Sequence, residues 1–246
     1  MDFIEHPSPN FDDRPEGITP SLIVLHFTGG TSAEYALDIL TDGDRTHKVS
    51  AHYMIDEEGR VYRLVDDEKR AWHAGVSFWN GITDVNSASI GIELSNRDRN
   101  PYTKEQLSAL AILCHELRNR YHIPAQNIIG HSDIAPDRKD DPGYHFPWRD
   151  MKDHRIGVVP RVKLRDKFRA EAAANKPKKL KALFRKAGYA GYPELEQLVS
   201  AFQQHYTPQV YTQPAPEETP GKATAATVAQ LRAVARYNRR HQHKPR

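Results

Sequence analysis

Three short apolar runs alternate with longer polar and helix-forming segments in the first 130 residues of the chain. The runs are SLIVLHF (21–27), SIGIEL (89–94) and NIIG (127–130). Apolar runs of about four to eight residues, bounded by turn residues and rich in Ile and Val, predict buried strands. Because helical patterns lie between them, we predict an α/β fold with a central mixed β-sheet flanked by helices.

Two further patterns predict the elements between these strands. SAHYMID and RVYRLV flank the turn EEG, which predicts a hairpin over residues 50–65. Thr103, followed three residues later by Gln106, is typical of a capping box at a helix start. The apolar positions of this helix recur at helical spacing and end before His122; they are Leu107, Leu110, Ala111, Cys114 and Leu117. We interpret Cys114 as a core residue rather than a nucleophile.

The pattern changes after about residue 155. Residues 156–177 are charged and only weakly amphipathic, which predicts a tether-like linker. LKALFRKAGY, PELEQLVSAFQQHY and TVAQLRAVARYN then show apolar residues at helical spacing. We therefore predict one domain over residues 1–155, a small three-helix domain over 178–240 and a frayed tail over 241–246.

Charge is unevenly distributed between these parts. Residues 175–246 contain 13 Lys and Arg against 4 Asp and Glu, whereas residues 1–174 contain 22 against 28. A basic C-terminal part suits an anionic polymer, either nucleic acid or the bacterial cell wall. The alternative is an ordinary solvated basic surface.

The sequence also limits the metal chemistry and the compartment. A single cysteine, Cys114, excludes an internal disulfide and a zinc site of several cysteines, so a metal would need His and carboxylate ligands. No run approaches the roughly 20 apolar residues of a membrane span. The N-terminus lacks the basic and apolar regions of a secretory signal. We expect a cytoplasmic protein, or a periplasmic or outer-membrane-associated one if a leader was removed.

Polar side chains occur where the predicted strands end. His26 ends the first strand, Glu93 lies in the second and His131 follows the third, and α/β folds build their sites at such an edge. In the loop GHSDIAPDRKDDPG (130–143), the Pro and Gly residues would turn Asp141 back toward His131. Two imidazoles and one carboxylate, with a fourth position for water, form a ligand set of catalytic zinc. Alternatively, each histidine is structural and each aspartate caps a turn.

Several motifs together resemble a known family. HPSPNFDDRP, LIVLHFTGG, SAHYMIDEEGRVYRLVDD, RAWHAG, SIGIEL and GHSDIAPDRKDDPG resemble the zinc-dependent N-acetylmuramoyl-L-alanine amidases of type 2, which share a fold with the peptidoglycan recognition proteins. The resemblance spans residues 5 to about 150 and is closest to the AmiD/AmpD-like branch. The small helical domain resembles, more weakly, the peptidoglycan-binding three-helix module that some members carry.

The resemblance implies a set of site residues. It implies one zinc ion, Zn2+, held by His26, His131 and Asp141; Asp141 is preferred to Asp140 because the family's aspartate directly precedes Pro-Gly. Glu93 is implied as the catalytic general base and Lys139 as the side chain that stabilises the oxyanion. The resemblance also suggests three substrate-binding residues, although by themselves the aromatic residues of this segment fit a core equally well; the three are His52, Trp72 and His73.

The implied reaction is hydrolysis of the amide between N-acetylmuramic acid, or its 1,6-anhydro form, and the L-alanine of a peptidoglycan stem peptide. The implied partner is peptidoglycan or a muropeptide, with no nucleic acid expected, in cell-wall turnover and recycling. Two alternatives stay open at this point: a non-catalytic peptidoglycan-recognition module, and nucleic-acid binding by the basic C-terminal part. The sequence does not predict an oligomeric state.

Overall fold

The computed structural model describes residues 1–96, 100–213 and 219–241. Eight strands occur in this part of the chain: β1 (Ile4–Glu5), β2 (Phe11–Asp13), β3 (Leu22–Phe27), β4 (Tyr53–Ile55), β5 (Val61–Arg63), β6 (Lys69–Ala71), β7 (Ser89–Leu94) and β8 (Ile128–Gly130). Six of them form a mixed sheet in the order β1-β5-β4-β7-β3-β8. β2 and β6 form a separate antiparallel pair.

Helices surround the sheet. Those in the described residues are α1 (Ala33–Thr41), α2 (Val85–Ala88), α3 (Lys104–Tyr121), α4 (His131–Ile134), α5 (Trp148–Met151), α6 (Leu164–Phe168), α7 (Glu171–Ala174), α8 (Pro177–Lys186), α9 (Leu195–Tyr206), α10 (Gln209–Thr212) and α11 (Ala225–His241). None of the helices in these described ranges is long and apolar enough to cross a membrane. The mixed sheet with flanking helices confirms the predicted fold class.

The three predicted buried strands are β3, β7 and β8, and they run parallel to one another. His26 in β3 lies opposite Glu93 in β7, and Leu25 lies opposite Gly130 at the end of β8. His131 comes directly after Gly130, so the two histidines and Glu93 reach the same edge of the sheet. This register brings together residues that are far apart in sequence.

The predicted hairpin is confirmed, because β4 and β5 pair in antiparallel fashion. The predicted helix is α3, and the Thr103 side chain accepts a hydrogen bond from the Gln106 backbone N–H at 3.1 Å. Only this half of the capping box forms, since the Gln106 amide donates to the carbonyls of Ile55 and Ser95 instead. Cys114 is fully buried in the core between α3 and the sheet, as predicted.

Side chains on the two faces of β3 enter two different cores. Ile23 and Leu25 pack in the core that contains α3, whereas Leu22 and Val24 pack with Phe184, Phe202 and Leu231 of the C-terminal helices. Successive residues of a strand point to opposite faces of its sheet. Because both faces are covered, the strand is apolar at every position rather than at alternate ones.

The C-terminal part is helical, as predicted, but its connection differs from the prediction. α8, α9 and α11 correspond to the three predicted helices. Residues 156–177, predicted as a tether, contain α6 and α7 and bury Ala170 and Ala173 against Val228 of α11. This packing corrects the expectation of a free linker, because burying the small apolar side chains of Ala170 and Ala173 against α11 removes them from water. The domain boundaries stay a prediction, and residues 242–246 of the predicted tail lie outside the described residues.

Candidate active site

Three donor atoms form a small triangle at the end of β3 and β8. Nδ1 of His26 lies 3.0 Å from Nδ1 of His131, and Oδ2 of Asp141 lies 2.9 Å from the first and 3.0 Å from the second. All three residues are buried. Of the groups in the described residues, these three combine the donor types and spacing that a metal ion needs.

The donor set fits a zinc ion. Zinc binds imidazole nitrogen and carboxylate oxygen at about 2.0–2.2 Å, and in a tetrahedral arrangement such bonds place neighbouring donors roughly 3.3 Å apart. The observed separations are close to that value and need only a small expansion. Three protein ligands leave one position open, as in catalytic rather than structural zinc sites.

The protonation states also suit a cation. Burial lowers the pKa of His26 to about 4, and the neighbouring His131 ring acts in the same direction. Burial by itself would raise the pKa of Asp141, but the two imidazoles hold it well below its usual range. His26 is therefore neutral and Asp141 is ionised at neutral pH, which are the forms that bind metal.

The loop around Asp141 is held at both ends. The Ser132 backbone N–H donates to the Asp141 carbonyl at 2.9 Å, and the Tyr102 hydroxyl donates to the Pro142 carbonyl at 2.7 Å. Asp140, the other candidate ligand, lines the same pocket but lies outside the donor triangle. The structure thus brings Asp141 to both histidines, as the resemblance implied.

Glu93 lies beside the triangle with an unpaired oxygen. Its Oε2 atom is buried and has no hydrogen-bond partner among the described residues. Burial raises its pKa to about 8, the Asp141 carboxylate adds to this rise, and the Lys139 ammonium opposes it. A carboxyl group with a pKa near neutrality can accept and return a proton at physiological pH.

These groups line one pocket of about 350 Å³. Lys139 lines it and is exposed, so its ammonium group can reach a bound molecule. Trp72 also lines it, together with apolar side chains of α1. The indole N–H of Trp72 donates to Asp12 at 2.7 Å, which leaves its ring as a fixed apolar surface.

Two of the predicted substrate-binding residues have other partners. His52 is fully buried outside the pocket: its Nδ1 accepts from the Gly91 N–H at 3.0 Å, and its Nε2 lies 3.1 Å from the Lys69 carbonyl. His52 therefore supports the backbone of β7 and does not line this pocket, so a contact between its ring and substrate stays a prediction. His73 lines the pocket, but hydrogen-bonding partners within the protein lie beside both of its ring nitrogens.

One buried carboxylate escaped the sequence analysis. Asp133, in α4, accepts hydrogen bonds from the Gly130 N–H at 2.9 Å, from His205 at 2.7 Å and from the Tyr189 hydroxyl. It thus joins the C-terminal helices to the turn that carries His131. No local signal predicts this contact, because His205 lies 72 residues further along the chain.

Comparison with known proteins places this geometry in context. Residues 16–144 match the family model described as N-acetylmuramoyl-L-alanine amidase. The chain is 34% identical to the N-acetylmuramoyl-L-alanine amidase AmiD of Escherichia coli, over 83% of this chain and 81% of AmiD. It is 41% identical to the E. coli 1,6-anhydro-N-acetylmuramyl-L-alanine amidase AmpD, over 58% of this chain and 86% of AmpD.

A solved structure extends the similarity to the C-terminal helices. The complex of E. coli AmiD with the substrate anhydro-N-acetylmuramic acid-L-Ala-D-γ-Glu-L-Lys superposes with a TM-score of 0.78 at 31% identity. The match covers 94% of this chain and 93% of that one. The likeness therefore includes both the sheet with its pocket and the helices packed behind it.

Proposed function

The chain belongs to the N-acetylmuramoyl-L-alanine amidase family, and we propose that His26, His131 and Asp141 hold the zinc ion with which it works. It is an amidase that hydrolyses the bond between N-acetylmuramic acid, or its anhydro form, and L-alanine, in cell-wall turnover and recycling. The observation that carries the zinc proposal is the buried triangle of two imidazole nitrogens and one carboxylate oxygen, 2.9–3.0 Å apart. When bound, zinc supplies Lewis acidity, which lowers the pKa of water to about 7 and polarises a carbonyl group.

Glu93 is the proposed general base. Its buried, unpaired Oε2 would be available to take a proton from the attacking water, because a zinc ion held beside it would favour the ionised carboxylate. Its pKa of about 8 lets the same group then give that proton to the leaving amine of L-alanine. With this proton the nitrogen departs as a neutral amine instead of a strongly basic amide anion, which makes cleavage of this unactivated amide feasible.

Lys139 is the proposed stabiliser of the oxyanion. Hydrolysis of an amide passes through a tetrahedral species whose oxygen carries negative charge, and a positioned cation lowers its energy. Lys139 lines the pocket with Glu93 and the three proposed ligands. We place the muramic acid ring against Trp72, since an aromatic face fits the apolar face of a sugar.

The C-terminal helices supply a second proposed contact with the cell wall. A groove of about 740 Å³ lies between α6, α8 and α11 and has seven cationic side chains against one carboxylate, Asp166. The cationic residues are Arg165, Arg169, Arg185, Lys186, Arg232, Arg236 and Arg239. The D-γ-Glu of the AmiD substrate keeps a free α-carboxylate, so repeated stem peptides present anions that such a groove attracts.

Elemental analysis and product analysis test the catalytic proposal. We expect one zinc ion per chain, and muropeptide digestion that yields a free N-terminal L-alanine by mass spectrometry. Variants of His26 or Asp141 should lose both metal and turnover. A metal-free preparation that keeps full turnover would refute the zinc assignment while leaving the amidase activity itself intact.

Co-sedimentation tests the proposed wall contact. The protein should pellet with insoluble peptidoglycan, and Arg232→Glu should weaken this binding while turnover of a soluble muropeptide is unchanged. Lys104→Glu, a charge reversal in α3, serves as the control and should pellet normally. Retention on DNA with a steep salt dependence, without binding to peptidoglycan, would favour nucleic acid instead.

A further inference from the structure

We propose that the dipeptide His73–Ala74 sets the tautomer and orientation of both imidazole ligands, so that each presents an unprotonated Nδ1 to the metal. This inference rests on the proposed zinc site. His73 is then a positioning residue, and it acts on His26 rather than on substrate. A single dipeptide orients two ligands that lie 105 residues apart in the sequence.

The first arm of this arrangement is the hydrogen-bonded series Ser89, His73 and His26, and it starts at Ser89 in β7. The Ser89 hydroxyl donates its only proton to the Val85 carbonyl at 2.5 Å, so toward His73 it can act only as an acceptor. His73 Nε2, 3.2 Å away, must therefore carry a proton. A neutral imidazole has one N–H and one lone pair, which leaves the lone pair of His73 on Nδ1.

The arm ends at the metal ligand. His26 Nε2 lies 3.1 Å from His73 Nδ1 and faces that lone pair. His26 must donate there, and its own lone pair is then on Nδ1, the atom in the donor triangle. The order of donors along Ser89, His73 and His26 thus selects one tautomer of the ligand.

The second arm uses the backbone of the same dipeptide. His131 Nε2 lies 3.2 Å from the Ala74 carbonyl, which can only accept a hydrogen bond. His131 therefore carries its proton on Nε2 and offers Nδ1 to the metal. Arg138 also donates to this carbonyl, at 2.5 Å, and helps to hold it in place.

The dipeptide is itself fixed from two sides. The Asn86 side-chain oxygen accepts hydrogen bonds from the backbone N–H groups of His73, at 3.1 Å, and Ala74, at 2.7 Å. On the other side, the His73 ring lies directly over Gly91, where a Cβ atom would approach the ring to 2.4 Å. Glycine in the middle of this buried strand is therefore required for the close approach of the ring.

Two substitutions at position 73 separate this role from ordinary packing. His73→Phe keeps a ring but removes the acceptor, so His26 Nε2 loses its partner. His73→Asn keeps an oxygen acceptor near the position of Nδ1 and should rescue the effect. Ser89→Ala breaks the start of the first arm, and Ser77→Ala, a buried serine that bonds the Gly75 carbonyl, is the matched control.

The readout is the zinc dissociation constant, measured by competition with a chromophoric chelator. Loss of an outer-shell partner typically weakens metal binding by about 10–100-fold, and we expect that loss for His73→Phe. Ser89→Ala should weaken binding by about fivefold, the size of one neutral hydrogen bond. His73→Asn should recover most of the affinity, and Ser77→Ala should match the wild type.

Nitrogen NMR gives a second test that does not need turnover. In the zinc-loaded protein we expect His26, His73 and His131 each to carry a proton on Nε2. A wild-type His26 protonated on Nδ1 with zinc bound, or a His73→Phe variant that binds zinc as tightly as the wild type, would overturn the proposal. A wild-type protein that binds no zinc would instead refute the proposed function, and NMR of the metal-free protein would still show whether His73 carries its proton on Nε2.

Discussion

Replacing Glu93 by glutamine should change how the free energy of unfolding depends on pH, in a predictable direction. Burial raises the pKa of Glu93 from 4.5 to about 8 in the folded, metal-free protein. Below pH 4.5 both the folded and the unfolded chain carry the proton. Between pH 4.5 and about 8 the unfolded chain releases it while the folded protein retains it, so the free energy of unfolding falls as pH rises.

The size of this effect follows from the two pKa values. A difference of about 3.5 corresponds to a loss of up to about 5 kcal/mol above pH 8, at 1.36 kcal/mol for each pKa unit. Glu93→Gln keeps the shape of the side chain and does not titrate. The variant should therefore gain stability relative to the wild type as pH rises from 5 to 9, although it loses amidase activity.

Urea unfolding of the metal-free proteins at several pH values measures this difference directly. Glu105→Gln, an exposed change in the first turn of α3, is the control and should show no pH-dependent gain. Added zinc should shrink the difference for Glu93→Gln, because a nearby cation favours the ionised carboxylate. A wild-type-minus-variant difference that is constant from pH 5 to pH 9 would refute the claim that Glu93 is protonated by burial.

Four further changes test other parts of the site and fold. Lys139→Ala should lower kcat by about 10²–10³-fold, as for loss of one oxyanion donor, while the zinc dissociation constant stays unchanged. A comparable loss of zinc affinity would contradict the proposed role of Lys139 in stabilising the oxyanion. Dialysis against a chelator should abolish turnover, and added zinc should restore it; full activity in the chelated enzyme would argue against a metal. Phe202→Ala should cost about 3–5 kcal/mol of unfolding free energy, in a single transition by fluorescence and circular dichroism if the helices and sheet unfold together. Gly91→Ala should displace the His73 ring and weaken zinc binding; unaltered zinc affinity would show that the ring has room to move.

Some residue roles near the pocket could be predicted from the sequence and others could not. His26, Glu93 and His131 stand at the ends of strands whose apolar runs are visible in the sequence, and parallel strands end at a common edge. His52 and His73 belong to the same motif-rich region, yet the fold directs the His52 ring to the backbone of β7 and the His73 ring to His26. Residue type and spacing do not distinguish these two environments.

The amino-acid sequence alone determined the alternation of strands and helices, the helix start capped by Thr103, the buried place of Cys114 and the candidate ligands. These features depend on apolar periodicity and on neighbours within a few residues, which are local properties of the chain. Only the tertiary structure decided that residues 156–177 pack against α11, that Asp133 meets His205, and that the Ala74 carbonyl faces His131. Such contacts join segments that are far apart in the sequence, and they form because both faces of one sheet are buried against different parts of the chain.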